Sequence, residues 1–167
     1  MKGILILSNK WDIRYLELAK HVSTWSKDPS SKIGAVAVGK EGQVLSQGYN
    51  GFPRNIIDST ERYEDREQKY NYVVHAEMNV IYNASYNGVS LSNSTLYVYG
   101  LPVCNKCALG IIQVGISRVV MPRQTITDRW SQSWSMSKAL FKEACVKWEF
   151  VEYDGYNESD IEYTKES

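Results

Sequence analysis

TLYVYGLPVCNKCALGIIQVGISRVVM, residues 95–121, is the stretch that decides the fold of this chain. It begins with a short apolar run, which predicts a strand over residues 95–99. Residues 105–114 follow a helical pattern, and residues 117–121 form a second apolar run. A strand, a helix and a further strand in succession predict that the two strands pair in parallel within one sheet.

The rest of the chain adds helices and strands around this unit. Residues 33–38 and 43–49 predict two strands joined by a tight turn around Glu41 and Gly42, and this hairpin adds antiparallel pairing. The remaining predicted elements are helices over residues 11–25, 75–86 and 129–144, a strand over 146–151, and a polar surface insertion with some helix over 58–69.

These elements predict an α/β fold. We expect a three-layer sandwich in which a mixed five-stranded sheet is flanked by helices. The chain has 167 residues, enough for one compact domain with a buried core. We predict that the domain spans residues 1–153 and that residues 154–167 form an acidic tail.

The charge balance limits the partners to be expected. Nineteen basic residues match nineteen acidic ones, so the net charge gives no long-range attraction to nucleic acid or to acidic membranes. This argues against a polynucleotide substrate. The apolar opening at residues 4–7 is too short for a signal peptide or a membrane span, which predicts a cytoplasmic protein without a membrane partner.

The three cysteines are Cys104, Cys107 and Cys145. An odd number with one close pair does not fit a secreted disulfide framework. Cys104 and Cys107 are three residues apart at the mouth of a predicted helix, so both sulfurs can reach one metal ion. A strand followed by Cys-x-x-Cys and a helix is also typical of a thioredoxin-like redox pair. On this motif alone the two interpretations are equally good.

The motif His75-Ala76-Glu77, at the start of another predicted helix, favours the metal interpretation. His75 would complete a set of one imidazole and two thiolates, which leaves the fourth position of a tetrahedral zinc open for water. The site would then lie between two helix N-termini, whose dipoles favour thiolate and hydroxide. Taken singly, His75 could be a core histidine and Glu77 a helix-start carboxylate. Together with the cysteine pair, they predict a catalytic zinc site.

His-x-Glu followed downstream by Cys-x-x-Cys is the pattern of zinc deaminases. The chain resembles this cytidine deaminase superfamily over about residues 11–151, and specifically the deoxycytidylate (dCMP) deaminases. The glycine-rich segment at 48–53 and the polar insertion after it point to the latter. The segments that carry the resemblance are SKDP (26–29), KIGAV (32–36), GYNGFP (48–53), KY (69–70), VHAEMN (74–79), CNKCA (104–108) and IIQVGI (111–116).

The resemblance implies a fold like that of cytidine deaminase and the hydrolysis of dCMP to dUMP and ammonia, which would supply dUMP for thymidylate synthesis. One zinc ion would be held by His75, Cys104 and Cys107 and would activate a water molecule, with Glu77 as the proton shuttle. One departure is Pro102-Val103-Cys104, because the family has proline directly before the cysteine. Backbone carbonyls of this loop are expected to hold the leaving amine.

Substrate contacts follow in part from the same resemblance. Asn50 is placed to bond the sugar hydroxyl, although a turn residue beside Gly51 is an equally good interpretation. Ala76 is counted among the substrate contacts. Lys27 is the first candidate for binding the phosphate and Arg123 the second, with solvated surface charge as the alternative for both.

Regulation and assembly are also implied by the resemblance. Members of the family are often homo-oligomers, and we expect a hexamer or a dimer. They respond to dCTP, with Mg²⁺, and to dTTP at subunit interfaces. The segment near the effector would be Gly48, Tyr49, Asn50 and Gly51.

Other functions remain open at the level of the sequence. The nearest is a deaminase of the same fold that acts on another cytosine nucleoside or nucleotide, on a free base or on tRNA adenosine. A second is a zinc-binding module without catalysis, which would have no use for Glu77 or for an open coordination position. A third is a dithiol oxidoreductase that uses Cys104 and Cys107.

Overall fold

The computed structural model of the protein describes the backbone of residues 2–157 and the side chains of residues 10–157. Of the predicted acidic tail, residues 158–167 lie outside the described residues. The elements in chain order are α1 (Lys2–Ser23), β1 (Gly34–Val38), β2 (Val44–Tyr49), α2 (Thr60–Glu64), α3 (Arg66–Tyr72), α4 (Ala76–Tyr86), β3 (Thr95–Tyr99), α5 (Asn105–Gln113), β4 (Arg118–Pro122), α6 (Asp128–Glu143) and β5 (Lys147–Val151).

The strands form one mixed sheet in the order β2-β1-β3-β4-β5. β1 pairs antiparallel with both β2 and β3. β3 pairs in parallel with β4, and β4 with β5. Helices α5 and α6 make the crossovers between the parallel strands. The predicted five strands, the parallel unit and the antiparallel hairpin are all confirmed for the described part of the chain.

Helices cover both faces of this sheet. A Cβ built on Gly34 would lie 2.0 Å from the carbonyl oxygen of Ala19 in α1. The next pair along the ladder, Ala35 and Gly48, faces the other way, and Gly48 lies against α4. Because consecutive strand residues point to opposite faces, α1 and α4 lie on opposite sides of the sheet. The three-layer sandwich is therefore confirmed, and β1 is buried along its whole length.

Two parts of the chain differ from the prediction in their boundaries. Helix α1 begins at Lys2 rather than at residue 11, and it ends at Ser23, where the backbone continues in three-residue turns. The polar insertion folds as the short helices α2 and α3, and the Asp65 carboxylate accepts from the Gln68 amide to cap α3. No helix within residues 2–157 has the length and apolarity needed to cross a membrane.

The contact between β2 and α4 is unusually close at Gly48. A Cβ built there would lie 2.5 Å from the Val80 nitrogen and 2.6 Å from the Ala76 oxygen, both backbone atoms of α4. The hydroxyl of Ser46 donates to the Val80 carbonyl at 2.8 Å, which ties the same two elements together. The absence of a side chain at Gly48 therefore sets how near α4 sits to the sheet, and α4 is the helix that begins with the His75-Ala76-Glu77 motif.

Replacing Gly48 with alanine is expected to destabilise the protein by about 1–3 kcal/mol, because the new methyl group must push α4 away from β2. Gly51→Ala is the matched control. A Cβ at Gly51 meets only side-chain atoms, at 3.7–4.0 Å, so its effect should be small. Denaturant unfolding of both variants measures the difference in the free energy of unfolding. Equal losses in the two variants would contradict the close-approach argument.

Candidate active site

The predicted functional side chains stand at the starts of two helices. His75 is the N-cap of α4 and Cys104 is the N-cap of α5, and both have extended backbone conformations. The Cys104 sulfur accepts from the Cys107 backbone amide at 3.4 Å, which closes the first turn of α5. His75 lies just outside its helix rather than in the first turn, so its imidazole and the two sulfurs project beyond the helix ends.

His75, Cys104 and Cys107 form a set that we call the donor triad. One ligand atom from each lies within 4.8 Å of the others. Nδ1 of His75 is 3.5 Å from the Cys104 sulfur and 3.4 Å from the Cys107 sulfur. Bonds of about 2.0–2.1 Å to nitrogen and 2.3 Å to sulfur at a tetrahedral angle give a separation of about 3.5 Å, so the triad fits Zn²⁺.

The triad is open on one side. His75 is exposed, Cys104 is half-buried and Cys107 is buried. Three protein ligands leave one tetrahedral position for water or substrate, which is typical of a catalytic rather than a structural zinc site. Among the residues that the structure describes, this is the one group of histidine, cysteine and acidic side chains arranged to hold a metal ion.

Protons are unevenly distributed over the triad. A hydrogen bond from Cys107 lowers the pKa of Cys104 to about 4, so this sulfur is a thiolate at neutral pH. The hydrogen bond with Cys104 raises the pKa of His75 to about 9. The pKa of Cys107 is raised as well, because its thiol donates to Cys104 and because it is buried. At neutral pH the triad therefore holds two protons, which a metal ion would have to displace.

Glu77 lies directly beside the triad but is not part of it. Its side chain is buried, and burial raises its pKa to about 7. It lies close enough to the Cys107 side chain for the two groups to influence each other's pKa. A buried carboxyl group with a pKa near neutrality can both accept and release a proton, which is what general acid–base chemistry requires.

Comparison with known proteins agrees with this geometry. Residues 9–122 match the family described as the cytidine and deoxycytidylate deaminase zinc-binding region. The chain belongs to the cytidine and deoxycytidylate deaminase family. An uncharacterized deaminase of Aliivibrio fischeri is 38% identical over 141 residues, which cover 83% of this chain and 92% of that protein. Deoxycytidylate deaminase of Mus musculus is 34% identical over 142 residues, covering 82% and 77% respectively.

A solved structure shares the fold. The dCMP deaminase of the cyanophage S-TIM5, crystallised with dCMP and dUMP, superimposes with a TM-score of 0.67 at 22% identity. The match covers 83% of this chain and 94% of that one. The family model and the relatives confirm the predicted family, and this superposition confirms the predicted fold class.

The loop that carries the first cysteine of this deaminase is held by two serines of α6. The buried hydroxyl of Ser137 donates to the Val103 carbonyl at 2.8 Å. The Ser133 hydroxyl accepts from the Asn105 amide and donates to the Asn105 side chain, both at 3.0 Å. Val103, the residue inserted after Pro102, is fully buried, and its carbonyl is bonded to α6.

Sequence reasoning missed these serines, although one signal was present. Trp134, Ser137 and Phe141 recur at helical spacing and form the buried face of α6. A serine on an otherwise apolar face needs a hydrogen-bond partner, which pointed to a nearby backbone carbonyl.

Asn50 is buried in a network of backbone contacts. Its side-chain oxygen accepts from the Ile33 amide at 2.8 Å, and its nitrogen donates to the Ser31 carbonyl at 2.7 Å. The backbone carbonyl of Asn50 accepts from the Ser26 hydroxyl at 2.7 Å. These contacts fix the turn after α1 against the end of β2. A contact from Asn50 to the substrate sugar stays a prediction.

The two predicted phosphate ligands are paired with carboxylates. The Lys27 ammonium lies 2.9 Å from Asp58, and the two side chains are 64% and 44% exposed. Arg123 bonds to Glu152, also at the surface. An anion would have to compete with these partners, so a role in phosphate binding stays a prediction for each.

The remaining predicted residues lie near the start of α4. Ala76 is buried beneath Gly48, where β2 meets the helix. Gly51 pairs with Val74 in an isolated antiparallel bridge, which leads the chain directly into His75. Tyr49 is exposed and packs edge-on against Trp25. The predicted effector segment is therefore joined to the chain that positions the donor triad.

Zinc affinity should increase with pH because two protons must leave the triad. The raised pKa values of His75 and Cys107 mean that both groups are protonated near pH 7 and deprotonated when they bind zinc. The dissociation constant is expected to fall by about 100-fold per pH unit up to pH 9, and by about tenfold above it. Competition with a chelator at several pH values measures this slope.

The control for this titration is Cys145→Ser, since Cys145 is an exposed free cysteine outside the triad. It should leave the slope unchanged, whereas Cys107→Ser should remove about one proton from it. An affinity that does not vary between pH 6 and pH 8 would show that the triad is not protonated as described.

Proposed function

We propose that this deaminase hydrolyses dCMP to dUMP and ammonia, and so supplies dUMP for thymidylate synthesis. The observation that carries the proposal is the buried carboxyl group of Glu77 beside a His-Cys-Cys triad with one open coordination position. The curated relatives named deoxycytidylate deaminase and the cyanophage enzyme crystallised with dCMP and dUMP support the choice of substrate.

The reaction replaces the amine on C4 of the pyrimidine by an oxygen from water. His75, Cys104 and Cys107 would hold Zn²⁺, which supplies Lewis acidity to activate the attacking water. Glu77 takes a proton from that water and delivers it to N3 of the ring. It then moves the second proton to the departing amine, so that the C4–N bond breaks as ammonia leaves. The raised pKa of Glu77 suits both directions of transfer.

Several further features belong to the proposal. Asn50 and Ala76 contact the substrate, and Lys27 and Arg123 are candidates for its phosphate. The enzyme is cytoplasmic and works as a homo-oligomer, either a hexamer or a dimer. The charge balance supports a free nucleotide rather than tRNA as substrate.

Glu77→Gln should keep the zinc content and lower kcat for dCMP by about 10²–10⁴-fold or more, since the amide cannot carry the proton. Glu64→Gln, at an exposed position of α2, is the matched control and should be fully active. Ammonia release from dCMP, deoxycytidine, guanine and tRNA, with zinc measured in parallel, tests both parts. Faster turnover of any other substrate than of dCMP would assign the enzyme to a different member of the family.

Regulation by nucleotides is proposed for the segment Gly48–Gly51. Binding of dCTP with Mg²⁺ or of dTTP at this segment should change the rate of deamination, because a shift of β2 would move α4 through the Gly48 contact. Initial rates against dCMP concentration, with and without each effector, measure this. Hyperbolic curves that neither nucleotide changes would refute the regulation without affecting the proposed reaction.

A further inference from the structure

The substrate of the proposed reaction carries a phosphate dianion, so the cations around the donor triad are of interest. We propose that Arg129 and Arg66, which are linked through Tyr70, bind the 5′-phosphate and make the enzyme prefer a nucleotide to a nucleoside. This inference rests on the proposed function and extends it to substrate specificity.

Arg129 is close to the donor triad through α6. Ser133 follows it by four residues, one helical turn along the same face, where side chains are about 5–6 Å apart at Cβ. The Ser133 hydroxyl bonds to the backbone and side chain of Asn105, the residue that follows the metal-binding Cys104. Arg129 therefore stands about one helical turn from the cysteine loop, and its side chain is exposed.

Tyr70 and Arg66 approach the site from α3. This helix ends at Tyr72, three residues before His75, so the chain runs from α3 directly to the N-cap of α4. The Arg129 guanidinium donates to the Tyr70 hydroxyl, and the Arg66 guanidinium lies 5.4 Å from the centre of the Tyr70 ring. Arg66 is thus on the helix that precedes His75, and Arg129 is on the helix that contacts the cysteine loop. Both arginines contact Tyr70.

Both guanidiniums keep their charge available. Among the described residues, neither Arg66 nor Arg129 forms an ion pair, in contrast to Lys27 and Arg123. Arg129 stacks instead over Trp130, 4.8 Å from the ring centre. Aromatic stacking orients a guanidinium without neutralising it and leaves most of its five N–H donors free.

Phosphate is the ligand that fits two uncompensated guanidiniums at the edge of a nucleotide site. Guanidinium forks bind phosphate oxygens through paired, charge-assisted hydrogen bonds. An uncharged nucleoside could not use these contacts. Loss of one arginine should therefore weaken turnover of dCMP and leave turnover of deoxycytidine at its basal level.

The test compares kcat/KM for dCMP and for deoxycytidine in four single variants of the zinc-loaded enzyme. Arg129→Ala and Arg66→Ala should each lower the dCMP value by about 10–100-fold, mostly through KM, and leave the deoxycytidine value unchanged. Arg14→Ala and Lys142→Ala are the matched controls, since each also removes one exposed cation. Arg14 stacks over Trp11 in α1, and Lys142 lies in the last turn of α6. Both controls should change both values by less than about threefold.

Arg129→Lys gives a second readout. A lysine keeps the charge but loses the fork, so it should recover only part of the lost dCMP activity. Equal losses for dCMP and deoxycytidine in the Arg129 and Arg66 variants, or an equally selective loss of dCMP activity in the Arg14 or Lys142 variant, would overturn the assignment.

Failure of the proposed function would be visible separately, as a wild-type enzyme that does not deaminate dCMP. Binding of dUMP and of inorganic phosphate, measured by calorimetry, still tests the arginines in that case. Weaker binding of both ligands in Arg129→Ala than in Arg14→Ala supports the phosphate site, and identical affinities refute it.

Discussion

The structure depends on the meeting of two helix N-termini at one point. The starts of α4 and α5 bring an imidazole and two sulfurs within 4.8 Å of one another. The helix dipole favours a thiolate at a helix N-terminus, and an N-cap residue in extended conformation projects its side chain beyond the end of the helix. His75 and Cys104 are both N-caps in extended conformation. The chemistry of the site follows from this arrangement, because Glu77 in the first turn of α4 is carried into the same space.

The rest of the fold fixes where these two helix starts lie. Gly48 lets the backbone of α4 approach the sheet, and Ser46 bonds the two together. On the other side, Ser137 and Ser133 fasten the cysteine loop to α6. The extra residue between proline and cysteine is accommodated because Val103 is buried and its carbonyl is bonded to Ser137. The starts of α4 and α5 are therefore held in place by residues outside the two metal-binding motifs.

Elements with a clear hydrophobic pattern were predictable from the sequence. The strands at residues 95–99 and 117–121 and the helix between them follow from apolar runs separated by turn residues, because burial between two layers requires them. The start of α1 at Lys2 and the antiparallel pairing of β1 with β3 were not predictable. Which strands become neighbours depends on long-range contacts, and a local pattern does not contain that information.

By itself, the sequence determined the chemistry of the site. An imidazole and two thiols at these spacings can hold zinc with one position open, and the carboxyl group beside them can carry protons. Together they favour metal-assisted hydrolysis. Only the tertiary structure decided which charges remain available around it. Lys27 and Arg123 are paired with Asp58 and Glu152, whereas Arg129 and Arg66 meet at Tyr70. Ion pairing depends on distances between segments remote in sequence, and those distances exist only once the chain has folded.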